Sequence, residues 1–179
     1  MLKRKGCCNA ERFSSFFLQI KKILCTFAAR KGKIAMGERN VKYWLDIAQY
    51  DLETAEAMYQ TGRWLYVAFM CHQVIEKTLK AYWCATHTDS PPYTHNHKRL
   101  ADGCGLYQRM NEEQRNFIET ITNYNIESRY PEDRLELSQT LTPQACRMFI
   151  NETKQLQQWI IDELSASTKP SNSSDATRR

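Results

Sequence analysis

The segment Arg129-Tyr130-Pro131 combines residue types that are suited to holding a phosphate. A guanidinium can donate two parallel hydrogen bonds to a phosphate, and a neighbouring tyrosine ring can stack on a base. A structural interpretation competes with this one, because Pro131 can end a helix while Arg129 pairs with an acidic neighbour such as Glu127. The residues alone leave both interpretations open.

A second group with chemical potential consists of Glu76, Lys77 and Lys80. A glutamate and a lysine four residues apart pair on one side of a helix, which is typical of a solvated, salt-bridged face. The functional alternative is that Lys80 shares phosphate binding with Arg129, and that Glu76 orients one of these cations. Lys80 and Glu76 belong to a face that we call the polar stripe: Phe69, His72, Gln73, Glu76 and Lys80.

Histidine is the residue type that most often accepts a proton in catalysis, and His95 and His72 are the two candidates here. His95 follows Thr94 just before a short predicted helix, so a structural role as a cap or loop anchor competes with a catalytic one. A zinc site can be imagined from Cys84, His87, His95 and His97, but their spacing fits no familiar zinc motif. We therefore predict no metal site and no cofactor.

The elements that must position these residues are helices. Apolar residues recur every three or four positions in several segments, and an alternating strand pattern is missing from the sequence. Asn111 and Gln114 have the spacing of a capping box, and Thr142-Pro143 is a typical helix start. The prediction is an all-α antiparallel bundle of four to five helices. The first starts near Val41, the second follows a short loop around Thr61-Gly62-Arg63, and the others start near Asn96 or His97, Asn111 and Thr142, the last ending at about Leu164.

The net charge of +5 over 179 residues hides a segregation along the chain. Residues 1–35 hold nine basic residues and one acidic residue, whereas residues 36–168 hold 13 basic and 18 acidic ones. Residues 1–35 are predicted to be a basic extension: a translated upstream region with the true start at Met36, an arm that touches nucleic acid or lipid, or a targeting peptide. The predicted domain is 36–164, and residues 165–179 are predicted to form a disordered tail.

Neither a membrane span nor a disulfide framework is predicted. The sequence contains no apolar run of the length that a spanning helix needs. Its seven cysteines are an odd number without a CxxC pair, which suits reduced thiols in a cytoplasmic protein.

Five segments together resemble the HEPN domain family over roughly residues 41–164: WLDIAQYDLETAEA from Trp44, the Gly62-Arg63-Trp64 turn, HQVIEKTLKA from His72, Thr94-His95, and YNIESRYPED from Tyr124. The resemblance implies an all-helical bundle, commonly a homodimer, found in toxin–antitoxin and defence systems and often encoded beside a small nucleotidyltransferase. Many members are metal-independent ribonucleases with an arginine followed four to six residues later by a histidine. Others are regarded as binding modules for nucleotides or other polyphosphates.

The sequence departs from that catalytic pattern because no histidine follows Arg129. Three functions therefore remain. The first is a HEPN-like homodimer that binds nucleotide or RNA phosphates through Arg129, Tyr130 and Lys80, with Glu76 and Lys77 beside them, and works with a nucleotidyltransferase in a toxin–antitoxin or defence pair. The second is a ribonuclease toxin that uses Arg129 with His95 or His72 as the base. The third is a pure dimerisation or interaction domain.

Overall fold

The computed structural model describes residues 34–125 and 141–167, and in these ranges the chain is helical with no strand. Five α-helices and one short 3-10 helix follow in order: α1 Ile34–Gln60, α2 Trp64–Thr86, α3 His97–Gly103, the 3-10 helix Tyr107–Arg109, α4 Glu112–Thr122 and α5 Pro143–Ser167. The predicted all-α bundle is confirmed.

Local sequence signals explain where several of these helices begin and end. The Asn111 side chain accepts a hydrogen bond of 2.8 Å from the Gln114 amide, and the Gln114 side chain accepts one of 3.0 Å from the Asn111 amide. This is the predicted capping box of α4. Gly62, with a φ of +69°, ends α1 in the left-handed conformation that glycine adopts at little cost. The three-residue connection that contains it makes α1 and α2 an antiparallel pair.

Helix α2 lies at the centre of the bundle. It packs against α1 and α5 along its length, and it also contacts α3 and α4. Ile75 and Leu79 are fully buried on this helix, as are Val67 and Val74. Because neighbours cover α2 on several sides, its polar positions become buried together with its apolar ones.

Two helix ends differ from the predicted boundaries. Helix α1 begins at Ile34, ahead of the predicted start at Val41 and just inside the predicted extension. An apolar period marks where a helix buries a face, so it cannot reveal helical residues that precede the buried part. Helix α5 continues to Ser167, so the tail predicted from residue 165 starts too early. The Ser165 and Ser167 hydroxyls donate hydrogen bonds to carbonyls of the preceding turn, each at 2.8 Å.

Other predicted features of the body are also found. Trp44, Trp64 and Trp159 pack against the buried core. The fourth tryptophan that was expected to be an anchor, Trp83, stacks on His87. Cys71 and Cys84 are buried free thiols, and burial raises the pKa of Cys71 to about 12, which keeps this thiol protonated. None of the described helices has the length and apolar character required to cross a membrane.

Candidate functional site

The carboxylate of Glu76 is the centre of a group of polar side chains inside the bundle, and only 1% of this side chain is exposed. Its Oε1 atom accepts a hydrogen bond of 2.7 Å from Lys80 Nζ and lies 3.5 Å from Lys77 Nζ. Its Oε2 atom lies 2.8 Å from His95 Nδ1 and 3.5 Å from His72 Nε2. We call these five residues the Glu76 cluster.

Two parts of the chain build this cluster. Helical spacing places His72, Glu76 and Lys80 on one side of α2, at successive intervals of four residues. His95 comes from the connection between α2 and α3, and the next residue, Asn96, caps α3 by accepting a 2.8 Å hydrogen bond from the Arg99 amide.

His97 ties this connection to α2. It is fully buried, and its Nε2–H donates a 3.1 Å hydrogen bond to the carbonyl oxygen of His72. Burial, and then the nearby His72, hold the pKa of His97 well below its ordinary value, so the ring stays neutral at physiological pH. His97 therefore holds the connection in place, and the connection presents His95 to Glu76.

Glu76 is ionised at neutral pH. Burial acts to raise its pKa, but the contacts with His72, Lys80 and His95, together with the charge of Lys77, outweigh burial and bring the pKa far below its ordinary range. A second carboxylate, Asp51 on α1, interacts with the cluster. Its pKa is raised by burial and by the charge of Glu76, and Lys77 acts against that rise.

The two lysines of the cluster differ in their access to solvent. The Lys80 side chain is 10% exposed, donates to Glu76, and places its ammonium 5.3 Å from the centroid of the Trp44 ring. The Lys77 side chain is 17% exposed and donates a 2.5 Å hydrogen bond to the Gln73 side chain. His95 reaches furthest outward, with 47% of its side chain exposed. A ligand from solvent therefore meets His95 and Lys77 before it meets Lys80.

The structure thus brings together five of the seven predicted site residues, while Arg129 and Tyr130 lie outside the described residues. The interpretation of Glu76 and Lys80 as a solvated face is wrong, because both are buried between packed helices. His72 is fully buried, so the structure argues against it as a group that touches substrate. Its Nδ1–H donates a 3.1 Å hydrogen bond to the Ile121 carbonyl, a structural use.

The four residues considered for zinc are not gathered in one place. His87 stacks on Trp83 with 4.2 Å between ring centroids, and the His97 ring packs against that of His72. Sequence reasoning also missed Asp51 and the anchoring role of His97. No local signal could have indicated either, because both depend on which elements pack against α2.

The geometry around His95 permits acid–base chemistry. A carboxylate oxygen only accepts hydrogen bonds when ionised, so His95 Nδ1–H donates to Glu76 Oε2. In the neutral imidazole the Nε2 atom is then the nitrogen with a lone pair, and it lies on a half-exposed side chain. The pair has the arrangement of a base oriented by a carboxylate.

Comparisons with known proteins agree with this architecture. A crystal structure of TT1696 from Thermus thermophilus superimposes with a TM-score of 0.59 at 17% sequence identity, covering 69% of this chain and 97% of that one. At this identity the likeness shows the fold alone. A comparison with curated proteins finds no match. A family model described as HEPN domain matches residues 41–164. Because that match extends over most of the chain, the protein belongs to the HEPN domain family.

Proposed function

We propose that this protein binds the phosphates of a nucleotide or of RNA at the outer side of the Glu76 cluster, together with Arg129 and Tyr130. The observation that carries the proposal is the placement of Lys77 and His95. Both lie within 3.5 Å of the same buried carboxylate, and both retain access to solvent. Because the carboxylate already holds both nitrogen donors in place, little further side-chain entropy is lost when they bind an anion.

The roles of the lysines follow from their exposure. Lys77 contacts the phosphate, whereas Lys80 neutralises Glu76 and keeps its carboxylate in position. Residues 36–168 hold more acidic than basic residues, so within this part of the chain a few placed cations, and not broad electrostatic attraction, provide the affinity. Arg129 adds the bidentate donor that a phosphate requires, and Tyr130 adds a ring on which a base can stack.

We expect Lys77→Ala and Arg129→Ala each to weaken binding of ATP or a short RNA at least tenfold. A lost charge-assisted hydrogen bond costs about 1.5–3 kcal/mol, and each 1.4 kcal/mol is about a factor of ten in affinity. Isothermal titration calorimetry on the full chain measures the effect. Arg63→Ala is the matched control, because it removes an equal charge from the exposed residue just before α2. Absence of binding by the wild type, or equal binding by all variants, contradicts the proposal.

The cellular setting that we propose is a homodimer acting with a nucleotidyltransferase partner in a toxin–antitoxin or defence pair. Membership of the HEPN family supports this setting. A nucleotidyltransferase reading frame adjacent to the gene, and co-purification of the two products, are the observations that test it. A partner that binds equally well to a Lys77→Ala, Arg129→Ala double variant favours a pure interaction domain instead.

A second candidate function, metal-independent RNA cleavage, is favoured by the 2.8 Å contact between His95 Nδ1 and Glu76 Oε2. In this mechanism His95 Nε2 takes the proton of a ribose 2′-hydroxyl, and Glu76 stabilises the imidazolium that forms. The 2′-oxygen attacks the phosphorus that Arg129 holds, the bond from phosphorus to the 5′-oxygen breaks, and the leaving 5′-oxygen takes a proton from water.

For this second candidate we expect the wild type to cleave RNA in the presence of a chelator, and His95→Ala to reduce the rate at least a hundredfold. His87→Ala serves as the matched control, since His87 stacks on Trp83 and lies outside the cluster. The assay is gel electrophoresis of labelled RNA after single-turnover incubation. RNA that stays intact with the wild type excludes cleavage while leaving phosphate binding unaffected.

A further inference from the structure

We propose that the Glu76 cluster is also a binding site for a divalent transition-metal ion of the Zn²⁺ type, with His72 Nε2, Glu76 Oε2 and His95 Nδ1 as its protein ligands. These three atoms lie within 4.8 Å of one another. The sequence predicted no metal site. The residues considered for zinc were Cys84, His87, His95 and His97, of which only His95 belongs to the proposed site. The proposal concerns the binding of a metal ion, and its test does not require that the protein bind phosphate.

The position of the buried His72 Nε2 atom carries the argument. A carbonyl oxygen can only accept, so the 3.1 Å contact with Ile121 places a proton on His72 Nδ1. In the neutral ring, Nε2 then carries a lone pair. This atom is fully buried and has no hydrogen-bond partner among the described residues.

The lone pair of His72 Nε2 faces a negatively charged oxygen. Glu76 Oε2 lies 3.5 Å from it, too far for a normal hydrogen bond. Two electron-rich atoms that face each other in a buried site repel unless a cation lies between them. The cation can be a second proton on His72 or a metal ion. The third nitrogen, His95 Nδ1, donates its proton to the same oxygen when no metal is bound. For this nitrogen to bind a metal, the proton must move from Nδ1 to the exposed Nε2 atom of the same ring.

The separations of the two histidine nitrogens from Glu76 Oε2 suit a metal. With bonds of about 2.0–2.1 Å to nitrogen and oxygen, ligand atoms of a tetrahedral Zn²⁺ site lie about 3.3 Å apart. The separations of 3.5 Å and 2.8 Å from Glu76 Oε2 to the two histidine nitrogens bracket that value. His95 is half-exposed on a connection, so it can shift by the fraction of an ångström that coordination requires.

The surroundings of the three ligands resemble a supporting shell. Metal-binding histidines commonly donate their other ring N–H to a carbonyl, as His72 does to Ile121, and ligating carboxylates are hydrogen-bonded in turn, as Glu76 is by Lys80. Two imidazoles and one carboxylate favour Zn²⁺ over Mg²⁺, which prefers oxygen ligands. The exposed side of His95 provides the entry path and leaves one coordination position open to solvent.

We expect the chelator-treated full chain to bind one equivalent of Zn²⁺ in isothermal titration calorimetry without any nucleotide. His95→Ala is expected to weaken this binding at least tenfold, since loss of a ligand removes one of three protein bonds to the ion. His87→Ala, which removes a histidine outside the cluster, is expected to bind as the wild type does. Circular dichroism of each variant verifies that the helices are retained.

Cobalt distinguishes this site from the seven cysteines of the chain. Co²⁺ in the Glu76 cluster is expected to give the visible bands of a low-coordinate nitrogen and oxygen site, without thiolate charge-transfer absorption. Thiolate bands would assign the ion to cysteines and overturn the proposal. A wild type that takes up no Zn²⁺ overturns it as well, because a proton on His72 then suffices to bridge the two atoms. Equal affinity of the wild type and of His95→Ala for Zn²⁺ would also overturn the proposal.

Discussion

Replacing Glu76 with alanine is expected to lower the free energy of unfolding by about 3–5 kcal/mol. The Glu76 carboxylate is the shared partner of Lys80, Lys77 and two histidines, and the Lys80 side chain is only 10% exposed. Without the carboxylate, the Lys80 ammonium remains inside the bundle with no counter-charge from α2. Urea denaturation followed by circular dichroism, in the presence of a chelator, measures the change without any contribution from metal.

Two controls separate the loss of the charge partner from the loss of a side chain. Glu53→Ala removes an exposed glutamate from α1, and its effect is expected to stay within about 0.5 kcal/mol. A Glu76→Met, Lys80→Met double variant replaces both charges by apolar groups, and it is expected to be more stable than Glu76→Ala because no unpaired charge remains. A loss below about 1 kcal/mol for Glu76→Ala would show that Lys80 finds water or another partner.

The helices were predictable because their signals are local. The capping box at Asn111 and the glycine at position 62 act over one turn of chain, and the apolar period of α2 reports directly which residues it buries. The start of α1 at Ile34 was not predictable, because the apolar period of the sequence begins only at Val41. The end of α5 at Ser167 was missed because serine hydroxyls there bond to the preceding turn, a short-range effect that composition does not reveal.

The candidate site was predictable only in part. The sequence placed His72, Glu76 and Lys80 on one helical face, which helical geometry alone guarantees. Whether that face is solvated or buried depends on the elements that cover α2, and the structure shows that it is buried. The contact between Glu76 and His95 joins residues separated by 19 positions across a Pro-Pro connection. Its formation depends on the anchoring of the connection by His97, which no pattern in the sequence indicates.

This placement makes α2 both the central packing element and the carrier of the Glu76 cluster. Glu76 and Lys80 occupy one row of the helix, Ile75 and Leu79 occupy the adjacent row, and all four are buried. Stability and site geometry therefore depend on the same helix. A change in the apolar row tests the packing part of this dependence without altering a charge.

Leu79→Ala is expected to lower the free energy of unfolding by about 2–5 kcal/mol, because truncation removes buried methyl groups and leaves a cavity that the packed helices fill incompletely. Leu79 is 0% exposed and belongs to the main core. Tyr66→Ala on the same helix is the matched control, since half of that side chain is exposed, and it is expected to cost much less. Urea denaturation of the two variants gives the comparison. Equal losses at the two positions would mean that α2 is not held mainly by its buried apolar row, contrary to the packing described above.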